Sequence, residues 1–222
     1  MDAAGIQTKI YAGYAKASAR TGYSFDLFRP TGPANPLANG NKLGSLAASM
    51  TPGQAGFSFG KSPAHKDVLF EGLYDGTQTQ VGDYLVAMAG EGGQGTFFVA
   101  NMPSLQPILL VRCNRTLTIS APGPSQTYGL QSTYQGTTPA NQAAVMTGWP
   151  ASLLFDARGR ATEVGLPLDL PSPFFTILAP AWPGTDVRTG MVIDDDEGRQ
   201  YVVSASELTP LGWRVFAQLA VT

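Results

Sequence analysis

Residues 95–107 read GTFFVANMPSLQP and residues 198–210 read GRQYVVSASELTP. Each begins on glycine, continues through an aromatic and β-branched stretch and ends on Leu-x-Pro, the pattern of a strand running into a turn. With Gly95 set on Gly198 and no gap, Phe98 falls on Tyr201, Leu105 on Leu208 and Pro107 on Pro210. The likeness extends upstream, where Gly82 in VGDYLV matches Gly190 in TGMVID once the first copy is allowed five more turn residues. Hairpin loops absorb such insertions at small entropic cost. Each copy closes on a further strand, ILLVRCNRTLTI in one and GWRVFAQLAV in the other. A single unit of this size is marginal alone. The chain is therefore expected to be mainly β, with two related small antiparallel modules, barrel-like or sandwich-like, that share one core or stand as two.

Composition supports that reading. The 222 residues include 26 Gly and 17 Pro, and 10% are aromatic, which favours many short strands joined by turns. Only 14% are charged and the formal net charge is −2, so there is no global attraction for nucleic acid or an anionic membrane. No apolar run reaches the roughly 18 residues of a membrane span, and MDAAGIQTK lacks the apolar core of a secretion signal. Synthesis in the cytosol, with no membrane partner, is the expectation. Cys113, the single cysteine, excludes an internal disulfide and a multi-cysteine metal site, and its setting in ILLVRC reads as a buried, inert thiol.

Along the chain, residues 1–22 are expected to form a helix, with Ile6, Ile10, Tyr14 and Ala17 at helical spacing, Tyr11 beside them, and Gly22 as the stop. Residues 23–66, rich in Pro, Gly, Asn and Ser from 29 onward, read as a long extended arm. Its spaced Leu37, Leu43, Leu46 and Phe57 suggest anchors that lie across another surface, such as a second subunit. Residues 67–121 form the first β module, 122–148 a linker or long loop, and 149–222 the second module.

Motifs with chemistry are few. Gly90, Gly92 and Gly95 satisfy G-x-G-x-x-G, but the following TFFVA is strand-like where a dinucleotide site needs a helix, so the glycines belong to a hairpin turn. Asp194, Asp195, Asp196 and Glu197 have the charge to attract a hard cation, yet they coincide with the turn of the second repeat, where Asp and Gly serve the backbone. His65, the only histidine, has no nucleophile elbow to serve and reads as a surface residue. Asn114-Arg115-Thr116 matches a glycosylation sequon by accident. Trp149 and Trp182 each abut a proline and Trp213 sits on a repeat strand. The expectation is no catalytic residue, no cofactor and no metal.

The stretches VRTGMVIDDDEGRQYVVSASELTPLGWRVFAQLAV and GDYLV…GTFFVANMPSLQPILLVRCNRTLTI resemble small β-rich structural proteins of tailed bacteriophages, in particular head-closure and neck proteins of the head-to-tail connector. The resemblance covers roughly residues 68–120 and 185–222. It implies a homo-oligomeric ring in the virion, between portal and tail, that helps close the DNA channel. Portal, neck, tail or baseplate proteins would be the neighbours, and DNA would merely pass through. Under this reading Gly82, Gly95, Phe98, Leu105, Pro107, Gly190, Gly198, Tyr201, Leu208 and Pro210 carry the repeat and its assembly. A baseplate or tail-tip component is the close alternative. The rival from another class is a carbohydrate-binding or hydrolytic β domain, in which the loop tryptophans and the Asp194–Glu197 turn converge on one concave site.

Overall fold

The computed structural model describes residues 3–52, 68–88, 95–122, 142–156 and 173–220. Among these residues one α-helix, α1 (Ala3–Thr21), precedes twelve strands. They are β1 (Tyr23–Phe28), β2 (Lys42–Pro52), β3 (Leu69–Leu73), β4 (Tyr84–Ala87), β5 (Thr96–Asn101), β6 (Ile108–Cys113), β7 (Arg115–Pro122), β8 (Gln142–Asp156), β9 (Phe174–Ala179), β10 (Val192–Asp195), β11 (Gln200–Thr209) and β12 (Gly212–Leu219). They close into two antiparallel barrels of six strands each, the mainly β, two-module fold that the sequence predicts.

Both barrels are wound the same way. The first runs β1-β2-β3-β6-β5-β4 and the second, read from β7, runs β7-β8-β9-β12-β11-β10. In each, three strands paired in sequence are followed by a fourth that returns to lie beside the first, a Greek-key arrangement. The duplication therefore spans a whole barrel, not the hairpin-plus-strand unit visible in the sequence. Its earlier halves keep the pattern of inward residues without keeping the residues: Leu27 pairs with Leu85 as Ile119 pairs with Ile193.

The module boundaries move accordingly. Residues 23–28 and 42–52, expected in the extended arm, are β1 and β2 of the first barrel. Residues 115–121, assigned to the first module, belong to β7 of the second, and Pro122 and 142–148 of the expected linker belong to β7 and β8. The polar, Gly-rich run hid β2 because KLGSLAASM buries only Leu46 and Ala48 fully; small residues suffice where a helix lies on the outer face. Residues 29–41 of the arm form the β1–β2 connection, and the rest of the arm and linker, 53–66 and 123–141, lies outside the described residues.

The ladders also shift the repeat by one residue. Leu85 pairs with Phe97, and Ile193 pairs with Tyr201. Both strands bulge just after the equivalent Val99 and Val203. Phe97, not Phe98, is thus the counterpart of Tyr201. A one-residue slip exchanges the faces of a strand. Phe97 meets Phe25 and Phe70 inside the first barrel and Tyr201 meets Phe175 inside the second, whereas Phe98 belongs to the core cluster shared with the second barrel.

Helix α1 ends at Thr21 with Gly22 donating its N–H to the Ser18 carbonyl at 2.7 Å. Its buried residues are Tyr11 and Ser18, with Gln7, Ile10, Tyr14 and Ala15 half-buried, so the packed stripe is centred on Tyr11 and Ser18, with Ile10 at its margin and Ile6 and Ala17 exposed. Ile6 is 37% exposed. Two glycines set this rotation: a Cβ on Gly22 would stand 2.7 Å from the Ala48 carbonyl oxygen, and one on Gly76 would stand 2.5 Å from the Tyr11 ring.

Candidate functional site

The second strand of each barrel divides its pairing at an equivalent point. In β2, residues up to Ala48 pair with β1 and residues from Ser49 pair with β3. In β8, residues up to Ala151 pair with β7 and residues from Ser152 pair with β9. Over the first part of each strand, one edge has no ladder partner among the described residues. The result is a seam in each barrel that must be covered from outside, because buried backbone without a partner is costly.

Helix α1 covers the first seam, packing on β2 and β3. Tyr11 joins Phe25, Leu27, Leu46 and Tyr74 in that barrel's core, and the Gln7 side chain accepts the Leu105 N–H at 2.7 Å. The first barrel covers the second seam. Tyr84 donates its hydroxyl proton to the Pro150 carbonyl at 2.8 Å and its ring lies 6.1 Å from Trp149. The Pro33 carbonyl, on the β1–β2 connection, accepts the Trp149 indole N–H at 2.7 Å and the Thr147 N–H at 2.9 Å. Of the expected arm, Pro33 and Leu37 lie against the second barrel or the core shared with it, whereas the expected anchor Leu46 is in the first barrel's core, Leu43 is exposed and Phe57 lies outside the described residues.

One residue, Asn114, separates the barrels and ties them. Its amide donates to the Leu153 carbonyl at 2.9 Å and accepts the Leu153 N–H at 2.8 Å, while its own N–H reaches Ala151 at 3.0 Å. The sequon asparagine thus has its side chain spent on a strand. Pro33, Tyr84 and Asn114 carry no local signal for these roles: Pro33 and Trp149 are 116 residues apart, and only the fold brings them together.

The repeat residues are structural. Gly82 and Gly190 have φ of +91° and +84°, and their N–H groups donate to Val99 and Val203, each at 2.8 Å. Gly95 and Gly198 also have positive φ, +101° and +78°, but the turns differ by one residue: Ala87 bonds the Gly95 carbonyl where Asp195 bonds that of Arg199. Leu105 sits in a turn at φ +62° with Pro107 at its end, whereas Leu208 is within β11 and Pro210 in the tight turn after it. The Leu-x-Pro match is therefore one of sequence, not of position.

The acidic turn is internally paired. Both Asp195 oxygens are occupied, one by the N–H groups of Glu197 and Arg199 at 3.0 and 2.8 Å, the other by the Arg199 guanidinium at 2.9 Å and the Tyr201 hydroxyl at 2.8 Å. Burial alone would raise this carboxyl's pKa, and these hydrogen bonds outweigh it and hold the pKa below the usual carboxylate range. The Tyr201 hydroxyl is pushed up to about 12 by burial and by its bond to Asp195. Glu197 pairs with Arg115 and Arg199 at 2.6 and 2.7 Å, and Asp194 takes the Gln200 amide at 3.0 Å. Among the described residues no three His, Cys, Asp or Glu gather as metal ligands. His65, Gly90 and Gly92 lie outside the described residues.

The tryptophans do not make an open platform. Trp149 is 1% exposed with Trp182 packed 5.9 Å away, and Trp213 is 8% exposed on β12. Cys113 is half-buried, and desolvation pushes its thiol pKa up, away from thiolate chemistry. No helix among the described residues is long and apolar enough to cross a membrane. Compared with family models, curated proteins and solved structures, the chain matches none.

Proposed function

We propose that this chain is a virion structural protein of a tailed phage, a component of the head-to-tail connector that forms a ring between portal and tail. The observation that carries the assembly part of this reading is the pair of seams. The same barrel is used twice, and each copy is completed by an element docked from outside it: α1 in one case, a neighbouring barrel in the other. A fold completed by docking suits a part that assembles with its neighbours. The phage placement rests on the resemblance of both repeat regions to neck proteins. No residue is given a catalytic role; the buried Asp195 and Tyr201 and the paired tryptophans serve the barrels.

The test is the oligomeric mass of the full chain by light scattering over a range of concentrations, with imaging of any large species. A closed ring with a central opening supports the reading. A monomer at every concentration that also fails to join purified connector proteins would overturn it. Deleting residues 30–64, the intuitive arm deletion, is unsuitable because it removes β2 and opens the first barrel.

A further inference from the structure

The outer face of the β3–β6 pair changes character along its length. Phe70 and Leu110 point into the first barrel, so Leu69, Glu71, Leu109 and Val111, which alternate with them, point outward. Leu69 and Val111 are buried in the core shared with the second barrel, whereas Glu71 and Leu109, two residues further along, are half-buried. Helix α1 borders that stretch: it packs on β3, and its Gln7 holds the Leu105 N–H. Tyr14 stands close enough to Glu71 to feel its charge, which after burial and Tyr11 is the third influence raising the hydroxyl pKa. Ile10, between Gln7 and Tyr14 on the helix, is half-buried, and Leu105 is 50% exposed. An apolar groove thus continues the junction between the barrels, with one carboxylate in it. The other carboxylates whose side chains are described each take a hydrogen bond or an ion pair; among the described residues Glu71 alone takes neither.

The opposite end of the same barrel has the complementary make-up. There β1 begins and β4 and β6 finish, away from the β5–β6 connection that holds Leu105. Tyr23 and Met88 are 47% and 39% exposed, and the Met88 N–H donates to the Ser24 carbonyl beside Tyr23 at 3.2 Å. Ala87 bonds Gly95, and a Cβ on Gly95 would stand 3.4 Å from the Arg112 Nε, so Arg112 shares this rim. Its guanidinium is exposed and has no ion pair. We infer that the groove beside Glu71 takes the Tyr23–Met88–Arg112 rim of a second copy of this chain, with Arg112 of one copy paired to Glu71 of the next. A half-buried carboxylate among aliphatic side chains is stabilised by a guanidinium that brings apolar neighbours with it. A second copy fits because the Leu69–Val111 end of this face already carries a barrel of the same winding. Groove and rim are different surfaces, so the contact is heterologous, the kind that closes into rings when the rotation allows. The inference rests on the assembly reading only in that copies of the chain meet.

Sedimentation of the full chain over a range of concentrations measures self-association for the parent, for Glu71→Arg, for Arg112→Glu, and for an equal mixture of these two variants. Arg188→Glu, on the second barrel, is the control. Each of the first two reversals sets like charges across the contact and is expected to weaken association about tenfold or more. The mixture is expected to restore it, because the reversed groove of one variant meets the reversed rim of the other. A variant that had merely failed to fold could not be rescued in this way, and circular dichroism checks folding directly. A parent that is monomeric at every concentration, reversals that associate like the parent, a mixture no stronger than either variant alone, or equal loss in Arg188→Glu would each overturn the assignment. Ring closure is read separately by imaging. A ring that survives both reversals refutes this contact alone, and an open string of copies that either reversal disperses refutes only the ring.

Discussion

The Pro33 carbonyl in the first barrel accepts the Trp149 indole N–H in the second at 2.7 Å. That bond, with Tyr84 to Pro150, fixes how one barrel closes the seam of the other. Trp149→Phe keeps a ring in the junction but removes the donor, leaving Pro33 with the Thr147 N–H alone. The expected loss is about 1–2 kcal/mol from one hydrogen bond and some packing. Urea unfolding followed by circular dichroism measures it, and an unchanged midpoint would show that the indole N–H is dispensable.

Asn114→Ala removes both side-chain bonds to Leu153 at the point where β8 changes partner. Two backbone groups lose their partner together, so a loss of about 1–3 kcal/mol is expected. Hydrogen exchange locates it: the amide of Leu153 should lose protection while that of Leu85, inside the first barrel, keeps it.

Gly22→Ala places a methyl group 2.6 Å from the Ser18 carbonyl oxygen and 2.7 Å from that of Ala48. Both contacts are backbone, so the helix must shift. A cost of about 1–3 kcal/mol is expected, with faster exchange of the α1 amides. Gly40→Ala is the comparison, since a Cβ there meets nothing within 4 Å.

Asp195 sets an acid limb. Its folded pKa lies below the unfolded value, so its stabilisation is fully present above the ordinary carboxylate pKa and disappears as pH falls through the folded value. Asp195→Asn should lower stability at pH 7 by about 2–4 kcal/mol, because the Arg199 guanidinium loses its charged partner, and should flatten the acid limb. Tyr201 acts at the other end: its pKa is raised to about 12, so its contribution persists below about 10 and fades as pH rises through about 12. Tyr201→Phe should flatten that alkaline limb. Unfolding midpoints from pH 2 to 12 test both substitutions.

Much of the fold was legible because strands announce themselves by what they bury. TFFVAN, ILLVRC and QYVVSAS each place large apolar residues in short β-branched runs, and glycines with positive φ close the turns between them. β2 was not legible. Its inward residues are few and small, and the helix that completes its surface is remote from any local pattern. The rotation of α1 was likewise hidden, since Ile6 and Ile10 outrank Gln7 and Ser18 in hydrophobicity, yet close backbone approach at Gly22 and the Tyr11–Gly76 contact decide which face packs.

The sequence by itself determined that the chain is mainly β, that a unit is repeated, and that α1 stops at Gly22, because each of these is written in neighbouring residues. Only the tertiary structure decided that the repeat is a complete six-stranded barrel, that Phe97 rather than Phe98 answers to Tyr201, and that Pro33 and Tyr84 seal the second barrel. Barrel closure and strand register depend on hydrogen bonds between segments far apart in the chain. A one-residue slip leaves the composition of a strand untouched while it exchanges core for surface.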